Sequence, residues 1–304
     1  SLPSVANNQH VATASSGDTE GDDSYVAIEV IEAPTLASMI DTGILQDPQM
    51  ALTVTAQLLE ALKSLHPNVQ EILKLLASSN GVLDEDTQER LGQLRDSGIA
   101  HNHLDPSNIF VHQTRGVILT DLVRAARFGE IIPSRSIAYW PKDLPPTVSN
   151  PLADLFAVGS LLLRMLATSP TGVAASSGTT TELGKHLIEV ALKAISDNPS
   201  ERFASADEFL DSVLSSAAVG TIPTIAADAI ALQQQIKELV NTLQFEEALA
   251  ICPPEWKITR ERIIEKQKLI NTQGIEIWSS GNLMLRYIGP VSYTHLTLPT
   301  ILLV

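Results

Sequence analysis

The feature that most constrains this chain is a polar loop set directly against a short apolar reversal. His101-Asn102-His103-Leu104-Asp105-Pro106-Ser107-Asn108 runs into Ile109-Phe110-Val111-His112, turns over Gln113-Thr114-Arg115-Gly116, and returns as Val117-Ile118-Leu119 before Thr120-Asp121. Two β-branched, apolar runs around a polar, Gly-containing reversal predict a hairpin. A hairpin brings its ends together, so Asn108 and Asp121 are expected to face each other across its open mouth. Two oxygen donors so placed suit a hard divalent cation, and they equally suit simple capping of the hairpin.

This spacing resembles the catalytic loop and metal-binding turn of eukaryotic-type (Ser/Thr) protein kinases, H-R-D-L-x-x-x-N followed by D-F-G. His101, Leu104, Asn108 and Asp121 stand at the matching positions. Asn150-Pro151-Leu152-Ala153-Asp154-Leu155-Phe156-Ala157-Val158-Gly159 is similar to the start of that family's buried central helix. Asp197-Asn198-Pro199-Ser200-Glu201-Arg202-Phe203-Ala204-Ser205-Ala206-Asp207-Glu208-Phe209 is similar to its closing segment. The resemblance implies an α+β, protein-kinase-like fold in which a mainly α-helical large lobe, residues 33–216, carries the last hairpin and hinge of a truncated small lobe, residues 1–32. An insertion at 67–96, between a helix ending in Leu65-His66 and the 101–108 loop, is similar to that of the kinase-like protein of bacterial phage-exclusion systems.

The resemblance also assigns roles. Ile28 takes the gatekeeper position, and the backbone of Glu29, Val30 and Ile31 is where the adenine of ATP would hydrogen-bond; an ordinary edge hairpin accounts for the same residues. His101 and Asp154 are structural, Asp154 accepting hydrogen bonds from the loop backbone, although an Asp favoured by the helix macrodipole needs no such role. Arg202 pairs in kinases with the Glu of A-P-E. Here Tyr139-Trp140-Pro141-Lys142 puts a Lys at that position, so Asp143 is the expected partner.

Phosphoryl transfer needs a carboxylate to orient the attacking hydroxyl, a cation on the phosphates and a mobile metal-binding turn. His103 occupies the position of the acid, Asn102 that of the Arg, Asp105 that of the phosphate-neutralising Lys, and Val123 that of the flexible Gly. These exchanges imply a catalytically inactive or strongly impaired module, acting as a scaffold or allosteric regulatory domain of a larger protein. The alternative is an atypical ATP-dependent Ser/Thr kinase or phosphotransferase that uses His103 or Asp105 as its base. Asn108 and Asp121, the metal positions, are kept, so ATP with Mg²⁺ stays open as a ligand. A glycine-rich loop and a strand Lys would precede Ser1, which fits a fragment.

A net charge of −15 disfavours nucleic acid and anionic membrane surfaces, which are met chiefly by Lys and Arg. The expected partners are therefore proteins or other domains of the same polypeptide. The longest apolar run, 155–167, is interrupted by Arg164 and too short to span a bilayer, and the single Cys252 forms no internal disulfide, so a cytoplasmic location is expected.

Further elements follow from periodicity and breakers. Strands are predicted at 10–14 and 25–31 around an acidic loop at 17–23. Pro34 is expected to open a short helix. Longer helices are predicted at 50–65, 69–77, 84–94 and 182–195, with a loop at 170–180 and Ser205 capping a helix. Residues 217–229 read as a linker. An appendage at 230–290 is predicted to hold helices at 230–243, 245–251 and 258–269, then strands at 274–278 and 283–288. Val291-Ser292-Tyr293-Thr294-His295-Leu296-Thr297-Leu298-Pro299-Thr300 resembles a translated sequencing adapter, and 291–304 is read as a non-native tail.

Overall fold

The computed structural model describes residues 9–287, apart from 21–22, 43–44, 46, 79–82, 134–138, 168–180, 216–226, 255, 274 and 281. The chain is α+β and mostly helical, with two-stranded antiparallel sheets. In order it forms β1 (Ala14–Glu20), β2 (Asp23–Ile28), α1 (Leu36–Thr42), α2 (Pro48–Leu65), α3 (Val69–Ser78) and α4 (Glu85–Asp96). Then come β3 (Ile109–His112), β4 (Gly116–Leu119), α5 (Pro151–Leu166), α6 (Glu182–Ala194) and α7 (Ala206–Leu214). Helices α8 (Ala227–Asn241), α9 (Phe245–Ile251) and α10 (Lys257–Gln273) and strands β5 (Ile275–Ser280) and β6 (Asn282–Tyr287) complete it.

Two helices make the centre because their sequences are apolar almost all the way round. Fourteen of the eighteen residues of α2 are buried, which leaves it little solvent face, and it is covered by α5, α6, α7 and β4. Helix α5 packs so closely on α6 that a Cβ on Gly159 would run into the Ala194 and Ile195 side chains, which is why a glycine sits there. Leu, Ile, Val and Ala build most of this core, with the stacked pair Phe203 and Phe209, 4.4 Å between ring centres, at the α7 end.

The β3–β4 hairpin lies on α2 with the predicted reversal, and its register runs from Ile109 opposite Leu119 to His112 opposite Gly116. Its two outer edges are also paired. Val111 N–H donates to Pro34 O, and on the other side Ala12 N–H donates to Leu119 O while Leu119 N–H donates to His10 O. This use of residues 10–12 corrects the expected strand at 10–14. The true ribbon is β1 with β2, and the acidic 17–23 segment lies largely within it, because backbone pairing sets the length of a two-stranded ribbon and acidic side chains do not end it. Pro34 does not open α1 either; Thr35 Oγ1 accepts the Ser38 N–H, which makes Thr35 the cap.

The insertion forms its two helices as α3 and α4, with Asp84 as N-cap rather than first residue of the latter. It returns to its starting point. Ile99 N–H donates to Leu65 O at 2.7 Å, and Gly98 abuts the backbone of Leu65, His66 and Pro67. Its apolar residues Ile72, Leu91 and Leu94 form a separate small core, against which Phe128 packs.

Helices α8, α9 and α10 share another core of Ile236, Phe245, Ala248, Cys252 and Ile263, and Trp256 packs against both this core and the main one. Residues 227–229 belong to α8, not to a linker. Strands β5 and β6 run through the turn expected at 279–282, as far as Ser280 and from Asn282. The expected loop at 170–180, most of the linker and the 291–304 tail lie outside the described residues. Among the described residues no helix is long and apolar enough to cross a membrane.

Candidate functional site

The loop at 101–108 is held by one carboxylate. Asp154 lies in the first turn of α5, which Asn150 caps through Leu152 N–H and Pro151 opens. It is 2% exposed. Its Oδ2 accepts the His101 N–H at 2.7 Å and the His66 Nε2–H at 3.0 Å, and its Oδ1 accepts the Asn102 N–H at 2.8 Å. A buried carboxylate is tolerated only when such donors replace water, so the chain supplies three, from the end of α2 and from the loop itself. In the sequence His66 marks only the end of a helix, and no motif there points to its bond with Asp154.

His101 is fully buried, and burial pushes its pKa below the ordinary histidine value. It is therefore a neutral imidazole, Nε2–H donating to Thr120 O at 2.9 Å, while Nδ1 accepts the His103 N–H at 3.3 Å. This ties the loop to the end of β4. Asn102 has φ 60°, a left-handed conformation that Asn adopts more readily than most residues. Its Nδ2 donates to Arg124 O and Ser149 Oγ, at 3.1 and 2.9 Å, and its Oδ1 accepts the Asn150 N–H at 3.2 Å. Thus Asn102, which the resemblance sets at the Arg position, joins the loop to the segments on either side of residues 126–148.

At the hairpin mouth, Thr120 N–H and Oγ1–H both donate to Asn108 O, at 2.9 and 3.0 Å, which extends the ladder by one residue. Asn108 and Asp121 do meet there: Asn108 Nδ2 is 3.2 Å from Asp121 Oδ2. Asp121 too is left-handed, φ 59°. The third member of the group is His103, whose Nδ1 lies 2.7 Å from the same Oδ2 and 3.2 Å from Asn108 Nδ2. The His103 side chain is 19% exposed and that of Asp121 33%. Asp105 does not join them. Its carboxylate accepts the N–H and O–H of Ser107 and so caps the single turn Pro106–Asn108.

The expected adenine-side residues sit apart from this cluster. Ile28 is half exposed and Val30 is 88% exposed. Glu29 N–H already donates to Thr13 O, and the Glu29 carboxylate grips Arg115 at 2.8 and 3.0 Å, at the closed end of the hairpin. Arg115 holds the Glu29 pKa below the usual carboxylate range. Ile31 O accepts the Ala33 N–H.

Arg202 binds Asp143 in a two-pronged ion pair, 2.7 and 3.2 Å, and also donates Nε–H to Ser196 O. The guanidinium holds the Asp143 pKa low. A cleft of about 210 Å³ beside this pair is lined by Leu73, Leu152, Leu155 and Phe203 among others, and by none of the loop residues.

Gln57 was missed in the sequence. It is buried in α2, and its Oε1 accepts the Val117 N–H at 2.9 Å, seating β4 on the helix. No protein-family model matches the chain, and no curated protein matches it.

Proposed function

We propose that the chain is a protein-kinase-like module without phosphotransferase activity, working as a scaffold or allosteric domain toward protein partners or other domains of its own polypeptide. One observation carries the reading. The Asp154 carboxylate fixes the backbone of a loop whose acid position is held by His103, and that His103 is bonded to Asp121. A neutral or cationic imidazole brings no fixed negative charge to a substrate hydroxyl, and Asp105, turned onto Ser107, is occupied as a cap.

A second reading has one feature in its favour. Asp121 anchors His103 at Nδ1, and Nε2 has no partner among the described residues, which is how an orienting carboxylate prepares an imidazole to act as a base. An atypical Ser/Thr kinase or other ATP-dependent phosphotransferase would use that nitrogen.

The two readings separate in one assay. The full chain, incubated with γ-labelled ATP and a mixture of protein substrates, is expected to transfer no phosphate above background. Transfer that His103→Ala abolishes would replace the first reading by the second.

A further inference from the structure

Asn108 and Asp121 are the pair that the kinase resemblance gives to Mg²⁺, and their geometry does not fit that ion. Mg²⁺ requires near-octahedral oxygen ligation, with carboxylate lone pairs directed at it. Asp121 Oδ2 already receives two N–H groups, from His103 Nδ1 at 2.7 Å and Asn108 Nδ2 at 3.2 Å. Facing a carboxylate, Asn108 must present its NH₂, so the amide oxygen that would ligate is turned from the shared oxygen. The side chain nearest to both is an imidazole, a nitrogen donor that suits Zn²⁺ or Cu²⁺ better than Mg²⁺. Among the described residues no group of three or more His, Cys, Asp and Glu side chains is placed to hold a metal.

We infer that His103 stands in the place of a divalent cation. Its Nδ1–H and the Asn108 NH₂ together occupy Asp121 Oδ2, the oxygen nearest Asn108, and they close the mouth of the β3–β4 hairpin from within. A ligand meeting this edge of the hairpin therefore binds without a divalent metal held between Asn108 and Asp121, because a cation could take the shared oxygen Oδ2 only by breaking both hydrogen bonds, one of them at charge-assisted distance. The inference deepens the proposed function at the same site, but it rests on the geometry of His103, Asn108 and Asp121 and not on the lack of phosphate transfer.

The probe is Mn²⁺, followed by the electron spin resonance signal of the free ion as it is titrated to about 1 mM into the full chain. The wild-type chain is expected to bind none at this site. His103→Ala should gain a site at least about tenfold tighter, the size of effect that groups around metal ligands exert. His103→Ala/Asp121→Asn should lose it again. Circular dichroism checks each fold, and His103→Ser replaces the Ala variant if that one does not fold. Wild-type binding that Asp121→Asn removes overturns the inference, since the cation then displaces the imidazole. A folded His103 variant that gains no site also overturns it, since the oxygen donors alone would then be insufficient. A chain that transfers no phosphate yet binds Mn²⁺ through Asp121 refutes this inference and leaves the proposed function; phosphate transfer without an Asp121 cation site does the reverse.

Discussion

Asp154→Asn is the sharpest test of how the loop is held. The substitution keeps the shape of the side chain and turns one acceptor oxygen into an NH₂ group. In the native protein Oδ2 accepts from His101 N–H and His66 Nε2, and Oδ1 accepts from Asn102 N–H. Whichever way the amide is turned, one backbone N–H then faces another donor in a site that is 2% exposed. Leaving one buried donor unsatisfied costs about 1–3 kcal/mol, and the surviving bonds lose their charge assistance, worth about 1 kcal/mol more. The loop should therefore open more easily by about 2–4 kcal/mol. Hydrogen exchange by mass spectrometry on a peptide covering residues 99–104 reads this locally, where a whole-chain melting curve would mix several cores. The expected acceleration for the His101 and Asn102 amides is about 30- to 900-fold. Acceleration below about threefold, or an equal acceleration in α8, would refute the argument that Asp154 fixes this loop.

Two further outcomes are expected. A double-mutant cycle on Arg202→Ala and Asp143→Ala should give a coupling of about 1 kcal/mol, read from urea midpoints, because the bond is two-pronged and the Arg202 side chain is only 11% exposed. Since Arg202 lowers the Asp143 pKa, the coupling should be complete above the ordinary Asp value of about 3.9 and fade as pH falls through the lowered one; a coupling unchanged well below that range would rule the ion pair out as its source. Replacing residues 68–97 by a short Gly-Ser linker should leave the main core folded. The loss of the contacts to Phe128 and of Arg127–Asp96 is offset by about 2 kcal/mol of closure entropy as a loop of about thirty residues shrinks roughly eightfold. Loss of the cooperative unfolding transition would show that the insertion is part of the core.

What the sequence made legible follows from how local each signal is. The hairpin, the helices and the Ser205 cap each depend on residues a few positions apart, and each formed; the Arg202–Asp143 bond was legible because Lys142 left Arg202 short of an anion with Asp143 as its neighbour. The ribbon was misjudged because residues 10–12 look like a strand in their own right, yet their partner is Leu119, over a hundred positions away. Within the site, the sequence pairs Asn108 with Asp121 and reads His103 as standing in the place of the acid, with a role as base in the alternative reading. That its imidazole would turn onto Asp121 depends on the left-handed backbone at Asp121, which no residue pattern announces. Asn102 was likewise read as a lost Arg, while its new partners Arg124, Ser149 and Asn150 come from elsewhere in the chain.

The residues that the kinase resemblance reads as exchanged share a property that bears on the proposed function. A site that had merely lost its chemistry would leave buried polar groups unpaired, at about 1–3 kcal/mol each. Here no fully buried side-chain nitrogen or oxygen between residues 101 and 121 lacks a partner. Asn102 is bonded to both flanking segments, His103 to Asp121, and Asp105 to the turn it caps. In an enzyme of the kinase type, Mg²⁺ and nucleotide complete the site and help to set its shape. This loop is completed by its own side chains. Its surface should accordingly be the same with and without a small ligand, which is what a protein partner needs from a scaffold and what a nucleotide-driven switch would have to give up.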